Sequence, residues 1–282
     1  MPIAVAASVA RIRADVAAER EQGRRVALVP TMGALHEGHL ALVSRALEIA
    51  DAAVVSIFVN PLQFGAGEDL EAYPRTPDED LAMLEAMGVR SVFMPPVSEL
   101  YPHGDIETRI SAGEAGAVFE GAARPGHFDG MLTVVAKLFN TVQPQVALFG
   151  QKDAQQLFLV RRMVRDLDIP VAIESVPIVR QDDGLALSSR NRYLSPGERR
   201  SALALPHALD AVAASASEGA EAALAAGREI VAGEPLVDLD YLAIVDPATF
   251  RAVGTGFRGQ ALAVVAAKVG GTRLIDNQAV VL

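Results

Sequence analysis

A chain of 282 residues, 51% hydrophobic and 21% charged, carries enough apolar material for a sizeable core in one large or two modest domains. Its formal net charge of -10 disfavours an extended nucleic-acid footprint, which needs a basic surface. With no cysteine, disulfides, thiolate metal sites and a cysteine nucleophile are excluded.

The N-terminal apolar run from Ile3 to Ala10 is followed, not preceded, by Arg11 and Arg13, the reverse of a secretory signal. It reads as the start of an amphipathic helix ending near Gly23. No uncharged apolar run reaches the roughly 18 residues of a membrane span, so no membrane partner is expected and the cytoplasm is the default. Strand and helix then alternate. Strands are expected over 25–29, 53–59, 92–94, 146–149 and 171–179, with helices over 40–50, 77–87, 129–142 and 153–167 between them. This order predicts a doubly wound parallel α/β sheet of the Rossmann-like kind, with ligands beyond the carboxyl ends of the strands.

From about Leu185 the character changes. Ser195-Pro196-Gly197-Glu198 combines a serine N-cap, proline at N1 and glutamate at N3. Alanine-rich helices follow, broken near Gly219 and Gly233, and then strands over 239–245, 261–269 and 273–275. A smaller α+β C-terminal domain is expected.

The stretch from Val26 to Val43 organises the first half. It begins as a buried strand, turns at Pro30 and Gly33, and enters a helix whose expected inward stripe is Leu40, Val43 and Leu47. Such a turn presents backbone N–H groups and the positive end of a helix dipole, a ready phosphate site. His36 and His39 are spaced to face the same anion. Capping or surface histidines and a metal pair are the competing readings, but two imidazoles alone make a poor metal site; phosphate is favoured.

Four further clusters carry polar chemistry. Asn60 and Gln63 follow the second strand and offer donors and acceptors, although Asn60 before Pro61 also reads as a plain turn residue. Arg124 lies in the turn-rich run before Phe128 and suits a carboxylate or a surface. Lys152 follows Gly150 at a second strand-to-helix junction, where an ammonium meets phosphates; Asp153 and Gln156 there also fit a capping box. Ser188, Ser189 and Arg190 suit a loop closing on polyphosphate, or a solvated basic loop. No G-x-G-x-x-G follows a strand and no G-x-x-x-x-G-K-[ST] is present, so a nucleotide beside an organic substrate is expected, and not a dinucleotide.

The run Pro30-Thr31-Met32-Gly33-Ala34-Leu35-His36-Glu37-Gly38-His39 resembles the H-x-G-H signature of the nucleotidylyl transferase superfamily. Leu187-Ser188-Ser189-Arg190-Asn191 resembles its K-M-S-K-S-type mobile loop. Within that superfamily the chain resembles the pantoate–β-alanine ligases. The further matching runs are Phe58-Val59-Asn60-Pro61-Leu62-Gln63-Phe64, Tyr73-Pro74-Arg75-Thr76, Arg124-Pro125-Gly126-His127-Phe128 and Phe149-Gly150-Gln151-Lys152-Asp153. Gln151, where the family often has Glu, and Ala154, where an aromatic is common, depart from the pattern.

The resemblance implies a Rossmann-like domain over 1–180 that binds nucleotide and pantoate, a C-terminal lid over 181–282, and a homodimer. It implies ATP-dependent condensation of pantoate with β-alanine through pantoyl adenylate, releasing AMP and pyrophosphate, with Mg2+ carried on the ATP phosphates and no protein metal site. His36, His39, Lys152 and Arg190 are the implied catalytic residues. ATP contacts are implied for Met32, Gly33, His36, Gly38, His39, Gly150, Gln151, Lys152, Asp153, Val179, Leu187, Ser188, Ser189 and Arg190. Asn60, Gln63, Arg124 and Gln156 are the implied substrate contacts.

Overall fold

In the computed structural model, which describes residues 3–65, 70, 71, 73–104 and 106–282, the N-terminal apolar run divides in two. Ala4–Ala6 is an edge strand, β1, and not helix as expected; it pairs in parallel with the strand at Ser91–Phe93. Ser8 then caps α1 (Val9–Glu21), its side chain accepting the Arg11 N–H. The chain continues through β2 (Val26–Thr31), α2 (Glu37–Ile49), β3 (Ala52–Ile57), a 3-10 turn at Pro61–Gln63 and α3 (Pro77–Ala86). β4 (Ser91–Phe93), α4 (Val97–Leu100), α5 (Glu120–Ala123), α6 (His127–Val142), β5 (Val146–Gly150), α7 (Ala154–Asp166) and β6 (Ala172–Val176) follow. Then come α8 (Pro196–Ala202), α9 (Ala204–Ala214), α10 (Ala220–Ala232), β7 (Val237–Val245), β8 (Gln260–Val269) and β9 (Thr272–Val281).

By internal contacts the residues group into two units, Met1–Gln151 with Leu159–Pro177, and Lys152–Phe158 with Ile178–Leu282. The first holds a six-stranded parallel sheet in the order β1-β4-β3-β2-β5-β6. Its order reverses between β2 and β5, the switch point at which open α/β sheets bind ligands. β2 lacks polar alternation because both its faces are covered. Ala27 and Val29 pack with Leu42, Val43 and Ala46 of α2, and the intervening Val26 and Leu28 are fully buried too. The inward stripe of α2 is therefore Leu42, Val43 and Ala46; of the expected set only Val43 is buried, with Leu40 and Leu47 at its margins.

The second unit is a three-stranded antiparallel sheet, β7-β8-β9, covered by α9 and α10. Leu205, Leu209 and Val212 of α9 meet Ile244, Ala263 and Val265 of the sheet in its core. α10 approaches α9 closely at Gly227, where a Cβ would stand 2.7 Å from Val212 Cγ2 and 2.8 Å from Leu242 Cδ2. The expected capping box at Ser195 forms, with Glu198 accepting the Ser195 N–H at 2.8 Å. β9 runs well past Ile275, where the apolar pattern suggests it would stop.

Candidate active site

At the switch point β2 ends in a turn whose backbone is held from within. Thr31 Oγ1 donates to the Ser56 carbonyl at 2.7 Å and accepts the Gly33 N–H, tying the turn to β3. Gly33 (φ 83°) and Ala34 (φ 51°) both adopt left-handed conformations. Asp80, reached from α3 and only 1% exposed, accepts the Ala34 N–H on Oδ2 at 2.9 Å and the Leu35 N–H on Oδ1 at 2.8 Å. Its Oδ1 also accepts the Thr76 hydroxyl. A Cβ on Gly33 would stand 3.0 Å from Asp80 Oδ2 and from Ile57 Cγ2, so glycine fits both the φ and the space. The backbone N–H groups of Gly33, Ala34 and Leu35 are thus already engaged inside the protein.

His36 is the N-cap of α2 and forms a reciprocal capping box with His39 at N3. His36 Nδ1 accepts the Gly38 N–H at 3.2 Å, and His39 Nδ1 accepts the His36 N–H at 3.4 Å. A ring nitrogen that accepts leaves the neutral imidazole's proton on the other one, so both rings are Nε2–H donors. Their centroids stand 4.1 Å apart. Cap and anion-binding readings of these histidines are therefore compatible: Nδ1 holds the helix and Nε2 carries the donor.

Beside the turn, Gln63 ends the 3-10 turn that follows β3. Asn60, fully buried, caps that turn, donates to Gln63 Oε1 at 3.2 Å and to the Gly130 carbonyl at 3.1 Å, and accepts the Tyr101 hydroxyl at 2.7 Å. It stands behind Gln63 as a support. Burial raises the Tyr101 pKa well above the ordinary phenol value, so the hydroxyl stays a donor. Gln63 Nε2 meets Met32 Sδ at 2.9 Å, joining the amide to the histidine turn. The Gln63 main-chain carbonyl accepts from Arg124 Nη2 at 3.3 Å and from His127 Nδ1 at 2.8 Å. A carbonyl only accepts, so His127 carries its proton on Nδ1 and its Nε2 accepts from Arg124 Nη1 at 3.1 Å. A cavity of about 330 Å³ lies on the Asp80 side of the turn, lined by Met32, Gly33, Phe58, Thr76, Met94 and Val97 among others.

Within the second unit, Ser188 caps the 3-10 turn Ser189–Tyr193 by accepting the Arg190 N–H, and Arg190 is exposed. The loop follows a short hairpin in which Leu187 N–H donates to the Val179 carbonyl. Lys152, half-buried before α7, has its carbonyl held by Asn277 Nδ2 at 2.9 Å. Gln156 is half-buried, and Gln151 and Asp153 are exposed. In the first unit Gly150 closes β5. Sequence reasoning misses Asp80, Tyr101 and Asn277, and gives His127 nothing beyond its place in a matching run. The one local signal for Asp80 is its place four residues before Leu84 on the buried face of α3. The acidic residues 78–80 otherwise read as an ordinary helix first turn.

A parallel sheet of this order, with capped imidazoles at the turn after its central strand, defines a Rossmann-like protein of the H-x-G-H kind. The sequence model of the family "Pantoate-beta-alanine ligase" matches residues 4–279. The pantothenate synthetase of Leifsonia xyli subsp. xyli is 60% identical over 259 residues, covering 92% of this chain and 90% of the relative. The solved pantothenate synthetase of Thermus thermophilus is 49% identical with a TM-score of 0.91, over 98% of this chain and 99% of that one. The pantoate-beta-alanine ligase of Francisella tularensis, solved with beta-gamma ATP and beta-alanine, is 32% identical with a TM-score of 0.81, over 98% and 97%. The chain belongs to the pantoate–β-alanine ligase family and is an enzyme of that class.

Proposed function

We propose that the chain condenses pantoate with β-alanine at the expense of ATP, through pantoyl adenylate. The observation that carries this reading is the stacked His36–His39 pair with both Nδ1 atoms committed to the helix cap, beside a glutamine locked by Asn60 and Met32. A carboxylate does not form an amide directly, because oxide is a hopeless leaving group. The pantoate carboxylate oxygen therefore attacks the α-phosphorus of magnesium-bound ATP in line, and the bond to the pyrophosphate oxygen breaks. This step needs positioning and charge neutralisation more than covalent help. The Nε2–H groups of His36 and His39 donate to the charge gathering on the phosphates, and no proton need leave either ring. The ammonium of β-alanine first gives up a proton to solvent; its neutral nitrogen then attacks the acyl carbon and sheds a second proton to solvent as the C–O bond to AMP breaks and AMP departs with the bridging oxygen.

Family resemblance assigns the remaining roles. Lys152 and Arg190 neutralise the phosphates; Met32, Gly33, Gly38, Gly150, Gln151, Asp153, Val179, Leu187, Ser188 and Ser189 line the nucleotide. Gln63 and Gln156 hold pantoate by the same resemblance; Asn60 and Arg124, expected as substrate contacts, are read instead from their hydrogen bonds as supports, Asn60 of the Gln63 amide and Arg124 of the Gln63 carbonyl. The Ser188–Arg190 loop shields the hydrolysable adenylate from water. The resemblance also supports a homodimer and a cytoplasmic setting; no helix among the described residues is long and apolar enough to cross a membrane.

Pantoate labelled with heavy oxygen in its carboxyl tests the route. One label is expected in AMP. Label in phosphate with ADP as co-product would overturn the adenylate, and AMP retained on the product would mark an adenylyltransferase. Binding of ATP without pantoate-dependent ATP–pyrophosphate exchange would mark a nucleotide sensor.

A further inference from the structure

Two consecutive residues of β9, Asp276 and Asn277, are polar, only 3% and 6% exposed, and unused in the chemistry above. Asn277 Nδ2 donates to the Lys152 carbonyl at 2.9 Å. Asp276 accepts Arg180 Nη1 at 2.7 Å and Nη2 at 2.9 Å in a bidentate pair, and its Oδ1 also takes the Asn277 N–H at 2.7 Å. Arg180 stands at the base of the hairpin that leads into the Ser188–Arg190 loop. It bridges Ala186 across that hairpin, and its Nη1 donates to the Gly184 carbonyl. Asn191 returns from the loop to the same hairpin, donating to Gln181 Oε1 and the Ala186 carbonyl. β9 itself packs against the 3-10 turn Ser189–Tyr193.

A carboxylate and a carboxamide buried in a sheet are costly unless every polar atom is paired, and apolar side chains would fill the same positions more stably. Here the pairing runs outward to two segments, the Lys152 turn and the Arg180 hairpin. A lysine ammonium on its flexible stem is placed only as well as its main chain is held. Lys152 sits in the turn between β5 and α7, outside regular structure.

We propose that Asp276 and Asn277 are positioning residues for the nucleotide phosphates, Asn277 setting the backbone of Lys152 and Asp276, through Arg180, setting the hairpin that carries Ser188–Arg190. This rests on the nucleotide reading given above. One strand of the C-terminal sheet thereby fixes both cations assigned to the triphosphate. The Asn277–Lys152 bond lies within the C-terminal unit, with which Lys152–Phe158 is grouped.

The test is a double-mutant cycle on the full chain, reading magnesium-ATP affinity by calorimetry and KM values in pantoate-dependent ATP–pyrophosphate exchange. Asn277→Ala is expected to weaken ATP by about tenfold, the scale of one lost buried hydrogen bond, with the KM for pantoate within about twofold of wild type. In a Lys152→Ala background the same change is expected to cost less than about twofold, because its effect passes through Lys152. Asp276→Asn gives the second arm, expected to couple to Arg190→Ala in the same way. Asn277→Ser, which keeps a donor, is expected to recover part of the loss and serves if the alanine variant does not fold. Wild-type ATP affinity in Asn277→Ala, or equal losses with and without Lys152, would overturn the positioning role. A wild-type chain that neither binds ATP nor catalyses exchange would instead overturn the nucleotide reading, and this proposal with it.

Discussion

Asp80 does what its neighbours in sequence do not. Asp78 and Glu79 are exposed acids in the first turn of α3, where the helix dipole favours them. Asp80 is turned inward and uses both oxygens on the N–H groups of Ala34 and Leu35, just ahead of His36. Its side chain thus stabilises a non-glycine residue at positive φ and sets where the imidazole pair begins. Asp80→Asn keeps the volume but replaces one acceptor with a donor facing a backbone N–H. The expected cost is about 1–3 kcal/mol of stability, the penalty of a buried donor left unpaired. ATP–pyrophosphate exchange should fall by more than the stability loss explains, because His36 and His39 lose their registration. Thermal melting and exchange on the same preparation check this; wild-type values in both would remove Asp80 from the account. Sequence alone makes the histidines legible and aims them at an anion beside the backbone N–H groups of the turn. The carboxylate that engages those groups lies 46 residues away along the chain, beyond any local pattern.

Among the elements, the strands easiest to read are those buried on both faces. β2, β3 and β5 open on apolar runs, Val26–Val29, Ala52–Val55 and Val146–Phe149, and such runs have few other ways to be satisfied. β1 reads as helix because three residues carry no period; its strand state comes from pairing with β4. β9 reads too short because Asp276, Asn277 and Gln278 break the apolar pattern, and the first two of these are buried in a hydrogen-bond network. Polar residues that look like a strand's end are here its interior. The contact between α6 and the Pro61–Gln63 turn is equally invisible in sequence. A Cβ on Gly130 would lie 2.0 Å from the Leu62 carbonyl oxygen and 2.8 Å from the Gln63 nitrogen. Backbone cannot swing aside as a flexible side chain can, so Gly130→Ala must displace the turn that carries Gln63. Overpacking of this kind costs about 1–3 kcal/mol. The expected kinetic signature is a KM for pantoate raised about tenfold or more, the scale of a small misplacement of a positioning group, with the KM for ATP much less affected. Steady-state kinetics with each substrate varied in turn decides it, and an unchanged pantoate KM would show that the turn absorbs the methyl group.

At the scale of the whole molecule, internal contacts group Lys152–Phe158 with Ile178–Leu282, and the membership of that first segment has no trace in the sequence. α7 reads as one amphipathic helix and is one helix, yet Ala154–Phe158 groups with the C-terminal unit and Leu159–Asp166 with the first. Within the C-terminal unit, Phe158 stacks on Phe250 at 5.4 Å and Asn277 holds Lys152 just before the helix. Two sets of packed side chains, one in each unit, share no residue. Local opening should therefore divide along the units and not along the helix. Gly227→Ala provides the perturbation, since its Cβ would meet Val212, Leu242 and the Ala208 carbonyl at 3.0 Å or less. It is expected to weaken the C-terminal unit by about 1–3 kcal/mol through overpacking. In native-state hydrogen exchange, amides of β7, β8 and β9 should lose protection while those of β2 and β3 keep theirs. The informative residues are Leu157 and Phe158, which should follow β8, and Leu159 and Val160, which should follow β3. Uniform exchange along α7 would mean that helix continuity outweighs the tertiary contacts at its first turn. Lys152 would then be placed by the parallel sheet, not by the sheet of the second unit.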